Sequence, residues 1–539
     1  MSTTQHYKTD VVIAGGGIAG IVAALNLLES DKKVLLLDRD EDRHFGGLAK
    51  LSFGAMFFVN TPQQRWTGIK DNVDLAYKDW SENAQFGEAD HWPRQWAEFY
   101  VNNCTDLGYK WLRKQGVRFL PVVNWAERRS DDNPGNTVPR FHVVWGSGQG
   151  LADALIASLL SHRHVANLTI LFRHKVTDIE QGNGRVSGLR GVNELNSEEF
   201  TVEADNTIIA SGGICGSIER VRANWYGPWG EPPQTILNGS HRYADGLLHD
   251  AAVEVGAKLT HMDKQWLYAG GIQHPKPTQP GHGLSIISSK TSLWLDSHGR
   301  RFAEPTVGGF DTRRIVESIC QQEHKYSWQI LNMKIAIKEF AISGSEYNRA
   351  LRDKKLLRFL RGIFFGVKGL VDEMLETCDD FLIASSVEEM MDKMQDYSEE
   401  GVRLDRQAII EGIKSYDAAA EPNGPSDKQR QLISQMREYM LDRLRTCDNQ
   451  KIDDPSAYPL IAIKQHILTR KTLGGIQTDL GSRVLTQAGE PIPGLYAVGE
   501  AAGYGGGGIH GLRSLEGTFL GGCVMSGRLA AADILDIKL

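Results

Sequence analysis

The chain has 539 residues, 41% hydrophobic and 24% charged, with a formal net charge of -7. That length exceeds what one hydrophobic core supports, so two or more domains are expected. The charge carries no long run of one sign, which argues against nucleic-acid binding. No stretch approaches the ~18 consecutive apolar residues of a membrane span.

The first ten residues, MSTTQHYKTD, lack the pattern of a secretory signal. Six scattered cysteines show neither metal spacing nor a CxxC pair, so reduced thiols, no metal and a cytoplasmic location are expected. VVIAGGGIAG, 11–20, is a β-branched run ending in glycines; the helical stretch IVAALNLLESD and a second strand, KVLLLDRD, come next. Gly15, Gly17 and Gly20 fit GxGxxG, and Asp38 closes the second strand where an acid holds a ribose hydroxyl. The glycines make the turn, admit a pyrophosphate and let helix pack on strand, while the helix N-terminus offers free N–H groups. HFGGLAKLSFGAMFFVN, 44–60, adds a second glycine cluster suited to the pyrophosphate and ribityl chain of a flavin nucleotide.

HKVTDIEQGNGRVSGL, 174–189, reads as a hairpin, and NTIIASGGICGS, 206–217, as a strand ending in glycines. Between roughly 285 and 460 the pattern changes to mixed helices, read as an inserted domain. It contains KKLLRFLRGIFFGVKGLV, 354–371, basic and strongly apolar. The simpler reading is a helix with its apolar face on the core or at a substrate entrance; the second lays it on an anionic membrane surface. VEEMMDKM is expected to be a surface helix. PGLYAVGEAAG, 493–503, is another strand-to-glycine ending, tipped by Glu500. Such ends collect at the carboxyl edge of a parallel sheet, where ligands bind. So many contacts from both ends of the chain favour FAD over a nicotinamide nucleotide. The glycines of YGGGGIHGLRSLEGTFLGG, 504–522, lie between strand and helix, so they are read as a close backbone approach to a ligand rather than a tether.

These blocks together resemble the fumarate reductase and succinate dehydrogenase flavoprotein superfamily, and most closely its FAD-binding dehydrogenases related to 3-ketosteroid Δ1-dehydrogenase. YADGLLHDAAVEVGAKL, GRRFAEP and TLGGIQTD add to the likeness. The resemblance implies an α/β fold: a Rossmann-like, glutathione-reductase-type FAD-binding domain over 1–285 and 461–539, with an inserted α+β capping or substrate domain over 286–460. It implies FAD contacts from Gly15, Gly17, Ile18, Ala19, Gly20, Asp38, Arg39, Gly46, Gly47, Leu48, Ala49, Ser52, Gly54, Val176, Ser211, Gly212, Gly499, Glu500, Gly517, Thr518 and Leu520. Leu48 fills the position where quinol-linked relatives attach FAD to a histidine, so the cofactor is expected to be non-covalent.

Fumarate reductases carry HGxNR where this chain has HGLRSLEG, so Ser514 stands at the arginine that binds a carboxylate. Arg470 and Lys471 replace the histidine before TxGG. Aligned from the last helix, the tyrosine that holds an enolising carbonyl in ketosteroid dehydrogenases falls on Arg513, and the partner amide on Gly517. Tyr504, His510 and Tyr268 are the proton-transfer candidates, each with a plain packing alternative. The expected activity is dehydrogenation of a C–C bond next to a carbonyl in an apolar, steroid-like ketone, with hydride to flavin N5 and electrons to an external acceptor. Two alternatives stand beside it: a C=C reductase with an external donor, and a membrane-peripheral electron-transfer flavoprotein anchored through 354–371.

Overall fold

The structure, a computed structural model, describes residues 4–303 and 307–539. The chain divides into two compact units. One comprises Met1–Trp225, Ser240–Trp266 and Lys471–Leu539, the other Tyr226–Gly239 and Leu267–Arg470.

In the first unit the apolar run Val11–Ala14 is fully buried within the strand Gln5–Ala14. Each such Val or Ile side chain contributes about 1.5–3 kcal/mol. Burial on both faces suits a parallel sheet covered by helices. The sheet runs in the order 483–485, 491–497, 198–209, 5–14, 34–37, 168–171, and the hairpin of 174–182 and 185–193 joins it through 198–209. Register aligns the strand ends: Ala14 lies beside both Leu37 and Ile209, and Ile209 beside Ala497. The segments after these residues therefore leave the same edge of the sheet together. Helix Ile18–Leu27 packs against the C-terminal helix Thr518–Ile534. Gly527 makes that approach close, since a Cβ there would lie 2.5 Å from the Ala19 carbonyl oxygen.

The second unit is built on another eight-stranded sheet, in which Leu460–Thr472 pairs antiparallel with Tyr326–Asn332 and Phe381–Ala384. Its core gathers Trp328, Phe340, Ile461 and Ile463. The sequence reading limits the inserted domain to 286–460, whereas this unit also takes in 226–239, 267–285 and 461–470. The reason is that Gln265–Gln273 and Leu460–Thr472 are adjacent strands of its sheet. The expected surface helix at VEEMMDKM, Val387–Asp396, sinks Met390, Met391 and Met394 into this core. Of the GRRFAEP strand, Glu304 and Pro305 lie outside the described residues.

The expectation for 354–371 needs the opposite correction. Helix Leu356–Phe365 has no buried residue; Leu357 is 84% and Phe365 79% exposed. Its apolar side is not packed on a core. No helix of the described residues is long and apolar enough to cross a membrane.

Candidate functional site

The site grows from the sheet edge of the first unit. Gly15 donates its N–H to the Leu37 carbonyl at 2.8 Å and adopts φ +120°, so the chain turns tightly over the strand ends. A Cβ on Gly15 would lie 2.2 Å from the Ala210 oxygen, and one on Gly20 only 2.0 Å from the Gly15 oxygen. Gly17 differs: nothing lies within 4 Å of where its Cβ would be. It heads helix Ile18–Leu27 with no side-chain cap and no acid in the first turn, so the N–H groups of Ile18, Ala19 and Gly20 open an anion cradle.

The second glycine cluster lies against the first. Gly46 donates to the Gly16 oxygen at 2.9 Å, and the Gly47 Cβ position is 3.4 Å from the Gly17 Cα. The turn Gly47–Leu51 then carries Leu48 and Ala49, and Ser52 donates from both N–H and Oγ to the Ala49 carbonyl. Gly54 is pressed onto Ser147 and Gly148.

Asp38 accepts from the Gly16 N–H at 2.9 Å and the Asp40 N–H at 2.8 Å, and burial raises its pKa. Arg39 pairs with Glu194 and Asp245 and lies over the Tyr243 ring. Val176 is buried two residues after His174, whose N–H donates to the Asp38 carbonyl at 3.0 Å. Ser211 and Gly212 follow Ala210, which donates to Ala14 at 2.8 Å. Gly499 abuts Ala19, its Cβ position 2.8 Å from the Ala19 Cβ. All the expected nucleotide residues lie in this one unit, and those named above gather at one sheet edge or its flanking turns.

Whether these residues suit FAD is testable on their own geometry. Helices begin at Gly17 and Gly517 without a side-chain cap or an acid in the first turn, whereas in the helix after Gly146 the Gly148 N–H already donates to the Ser52 carbonyl at 3.1 Å. Uncapped N-termini are ready anion sites. With Asp38 at the end of the second strand, the donor set fits a dinucleotide whose diphosphate crosses the first cradle.

The C-terminal turn corrects one expectation. The glycines of YGGGG do not open space for a ligand; they are crowded by protein. Cβ atoms on Gly505, Gly506, Gly507 and Gly508 would lie 2.5 Å from Trp96, 2.8 Å from Trp92, 2.3 Å from Thr260 and 2.6 Å from His261. Tyr504, at φ +65°, is buried between His510 and Phe519. Burial, and then Glu500, holds its hydroxyl well above the usual tyrosine range.

His510 has no exposed surface and stacks on Trp80 at 5.8 Å. The Thr518 hydroxyl spends its one proton on the Leu515 carbonyl at 2.6 Å, so at 2.8 Å it accepts from His510 Nε2–H. Burial, and then Lys471, pushes His510 down to about 3, leaving it neutral. It positions the helix start and has no surface from which to pass a proton to a substrate. Ser514 is buried too, bonded to Thr518 and Leu515.

Arg513 is different, being half-buried. Its carbonyl is held by Asn83 at 3.2 Å, and Leu512 N–H donates to Ala84 at 2.7 Å, so the backbone beneath the guanidinium is fixed. Gly517, at φ +96°, accepts from the Phe57 N–H at 2.9 Å and leads into Thr518 and the half-buried Leu520. Tyr268, half-buried on strand Gln265–Gln273, belongs to the second unit.

Three supports have roles that the sequence reading did not assign. Thr472 receives Ile214 N–H at 2.9 Å and donates its own N–H to Glu500 at 2.9 Å, tying the strand ends together. Lys471 places its ammonium 3.8 Å above the Phe519 ring. The turn at 146–150 fits against the second glycine cluster, with the Gly148 Cβ position 1.9 Å from the Ala49 oxygen. WGSGQGL after a β-branched run carries the same strand-to-glycine-to-helix signal as the N-terminus and could have found it.

Comparison with known proteins agrees with this geometry. The model of the FAD binding domain family matches residues 10–520. The chain belongs to that family and is an FAD-dependent oxidoreductase. A KsdD-like steroid dehydrogenase of Mycobacterium tuberculosis is 40% identical over 547 residues, covering 98% of this chain and 96% of that protein. Among solved structures, 3-ketosteroid Δ1-dehydrogenase from Sterolibacterium denitrificans, in complex with 1,4-androstadiene-3,17-dione, superposes with a TM-score of 0.71 at 14% identity, over 98% of this chain and 99% of that one. The open conformation of a flavocytochrome c3 fumarate reductase gives 0.68 at 19% identity, over 98% and 78%. These two likenesses speak for the fold alone.

Proposed function

We propose that the protein dehydrogenates a C–C bond next to the carbonyl of an apolar, steroid-like ketone and passes the electrons to an external acceptor. The observation that carries this reading is the 40% identity, over nearly both whole chains, to a KsdD-like steroid dehydrogenase. FAD, when bound, supplies the hydride acceptor. Arg513 and the Gly517 N–H hold the substrate carbonyl oxygen as it gains enolate charge, and the fixed backbone under Arg513 keeps that cation preorganised. Lys471 adds positive potential beside the same turn. Tyr504 and His510 act by position. Tyr268, on the second unit, remains a proton-transfer candidate.

Reduction of a short dicarboxylate fits less well. At the position of the carboxylate-binding arginine stands Ser514, 1% exposed and already hydrogen-bonded to Thr518 and Leu515. Anaerobic addition of a saturated 3-ketosteroid to the FAD-loaded protein should bleach the flavin band. If the oxidised protein ignores saturated ketones, and the reduced protein is reoxidised only by enones, dehydrogenation is the wrong direction.

A further inference from the structure

A soluble helix hides its apolar stripe; helix Leu356–Phe365 does the reverse. Leu356, Leu357, Leu360 and Phe364 fall within an arc of about 100° at 3.6 residues per turn. All four are exposed, by 55%, 84%, 38% and 56%. Arg361 and Arg358 come next round the helix, and Lys354 and Lys355 precede it; all four cations are exposed. Between 354 and 371 there are five basic residues and no acid. The flanking acids are already engaged, Asp353 with Arg352 and Asp372 with Lys368. Among the described residues no carboxylate pairs with Lys354, Lys355, Arg358 or Arg361.

The helix is also firmly mounted. Lys355 N–H donates to Ala350 at 2.8 Å at one end. At the other, Val367 N–H donates to Ile337 at 2.8 Å, and Gly366, at φ +84°, presses onto the Ile337 carbonyl. The neighbouring helix Met440–Arg445 adds the exposed Met440. So large an apolar patch on one short helix marks an interaction surface rather than scattered exposure.

We propose that this helix seats the enzyme on an anionic lipid surface, its leucines and phenylalanines entering the interface while Arg358, Arg361, Lys354 and Lys355 face lipid phosphates. Charge selects this occupant: a second copy of the chain would bring four more unpaired cations against these four, whereas a bilayer bearing acidic headgroups neutralises them.

The test uses the full-length, FAD-loaded protein and sedimentation with vesicles. It should partition onto phosphatidylcholine mixed with phosphatidylglycerol and release as salt rises. Leu357→Ser with Phe364→Ser should lower the partition coefficient at least about tenfold, because each apolar side chain removed from the interface weakens partitioning. Arg358→Glu with Arg361→Glu should lose about tenfold or more on anionic vesicles and little on pure phosphatidylcholine, since each basic residue near such a surface matters severalfold. Failure to sediment with anionic vesicles overturns the proposal. So does a dimer, seen by analytical ultracentrifugation, that Leu357→Ser dissolves. Flavin bleaching by ketone is read separately, so neither proposal's failure is mistaken for the other's.

Discussion

Two glycine-rich turns lie in the same unit, and they use glycine for opposite ends. At the N-terminal turn, Gly17 has nothing within 4 Å of its Cβ position, and the space is open to a ligand. At the C-terminal turn, Gly505 to Gly508 would each strike protein within 3 Å. There the missing side chains let the loop pack down on Trp92, Trp96, Thr260 and His261, and further along the turn the Arg513 carbonyl is held by Asn83. One turn is open to bind; the other is closed to position. Glycine content alone does not separate the two, and the difference teaches that a glycine is read from what its Cβ would meet.

The sharpest break of this comparison is Gly17→Val. Gly17 has φ -74° and ψ 180°, which valine tolerates, so the apoprotein should fold and melt normally. The new side chain fills the cradle, and FAD affinity should fall at least about 100-fold, near 2.8 kcal/mol at 1.4 kcal/mol per decade. Flavin absorbance after gel filtration and a melting curve of the apoprotein report both halves. A yellow, normally stable variant would mean the cradle is not where the diphosphate lies.

The second test asks what the closed turn is for. Arg513→Leu should lower the rate of flavin bleaching by ketone about 10²–10³-fold, the usual cost of losing one preorganised charge-stabilising donor. FAD content should stay put, and a melting curve separates any loss of packing around this partly buried side chain from the loss of rate. Arg513→Lys should recover part of the rate. Unchanged bleaching in Arg513→Leu would remove Arg513 from the carbonyl.

Crowding itself is tested by Gly505→Ala. At φ +138°, with Trp96 2.5 Å from the new methyl, the change forces both backbone strain and a clash with a ring that is 1% exposed. A loss of about 1–3 kcal/mol in unfolding free energy is expected. FAD should remain in the fraction that folds, in contrast to Gly17→Val. If Gly505→Ala instead expels FAD without destabilising the protein, the two turns are not different in kind.

The same distinction sets how much was legible. Strand ends announce themselves locally: VVIAGGG, IIASGG and YAVGE each join a β-branched or aromatic run to glycine, and the register of Ala14, Ile209 and Ala497 sets them side by side. That is why these strands of the first unit and the helix starts at Gly17 and Gly517 could be read from the chain. Which glycine faces a ligand and which faces Trp96 depends on residues hundreds of positions away, and local pattern holds no trace of it. The second unit was less legible for a similar reason. Its central strand Leu460–Thr472 takes partners from 236–238, 326–332 and 381–384, so its limits are fixed by long-range pairing. The methionines of Val387–Asp396 and the leucines of Leu356–Phe365 look alike in sequence, and only packing separates buried from exposed.

The smallest effect concerns what holds the closed turn in its neutral state. Burial lowers His510 to about 3, and His142 and His249, also in the first unit, to about 4, against an ordinary value of 6.5. The unfolded chain therefore binds protons that the folded one refuses. Stability from these groups is fully present above pH 6.5 and drains away as pH falls toward 4 and 3, by up to about 1.4 kcal/mol per pH unit for each histidine. His510→Gln keeps a donor for Thr518 but cannot take up a proton in this range. Its cost at neutral pH should be about 1 kcal/mol or less, the scale of one neutral hydrogen bond. Its slope of stability against pH should be shallower than that of the parent by one protonation, because His142 and His249 titrate on unfolding as before. Denaturant melts of both proteins at several values below pH 6.5 give the two slopes. Parallel slopes would mean that His510 is protonated in the folded protein, and the Nε2–H to Thr518 bond would then no longer identify its only proton. The open turn should be indifferent to this substitution, since no part of the Gly15 to Gly20 cradle relies on His510 for a hydrogen bond among the described residues.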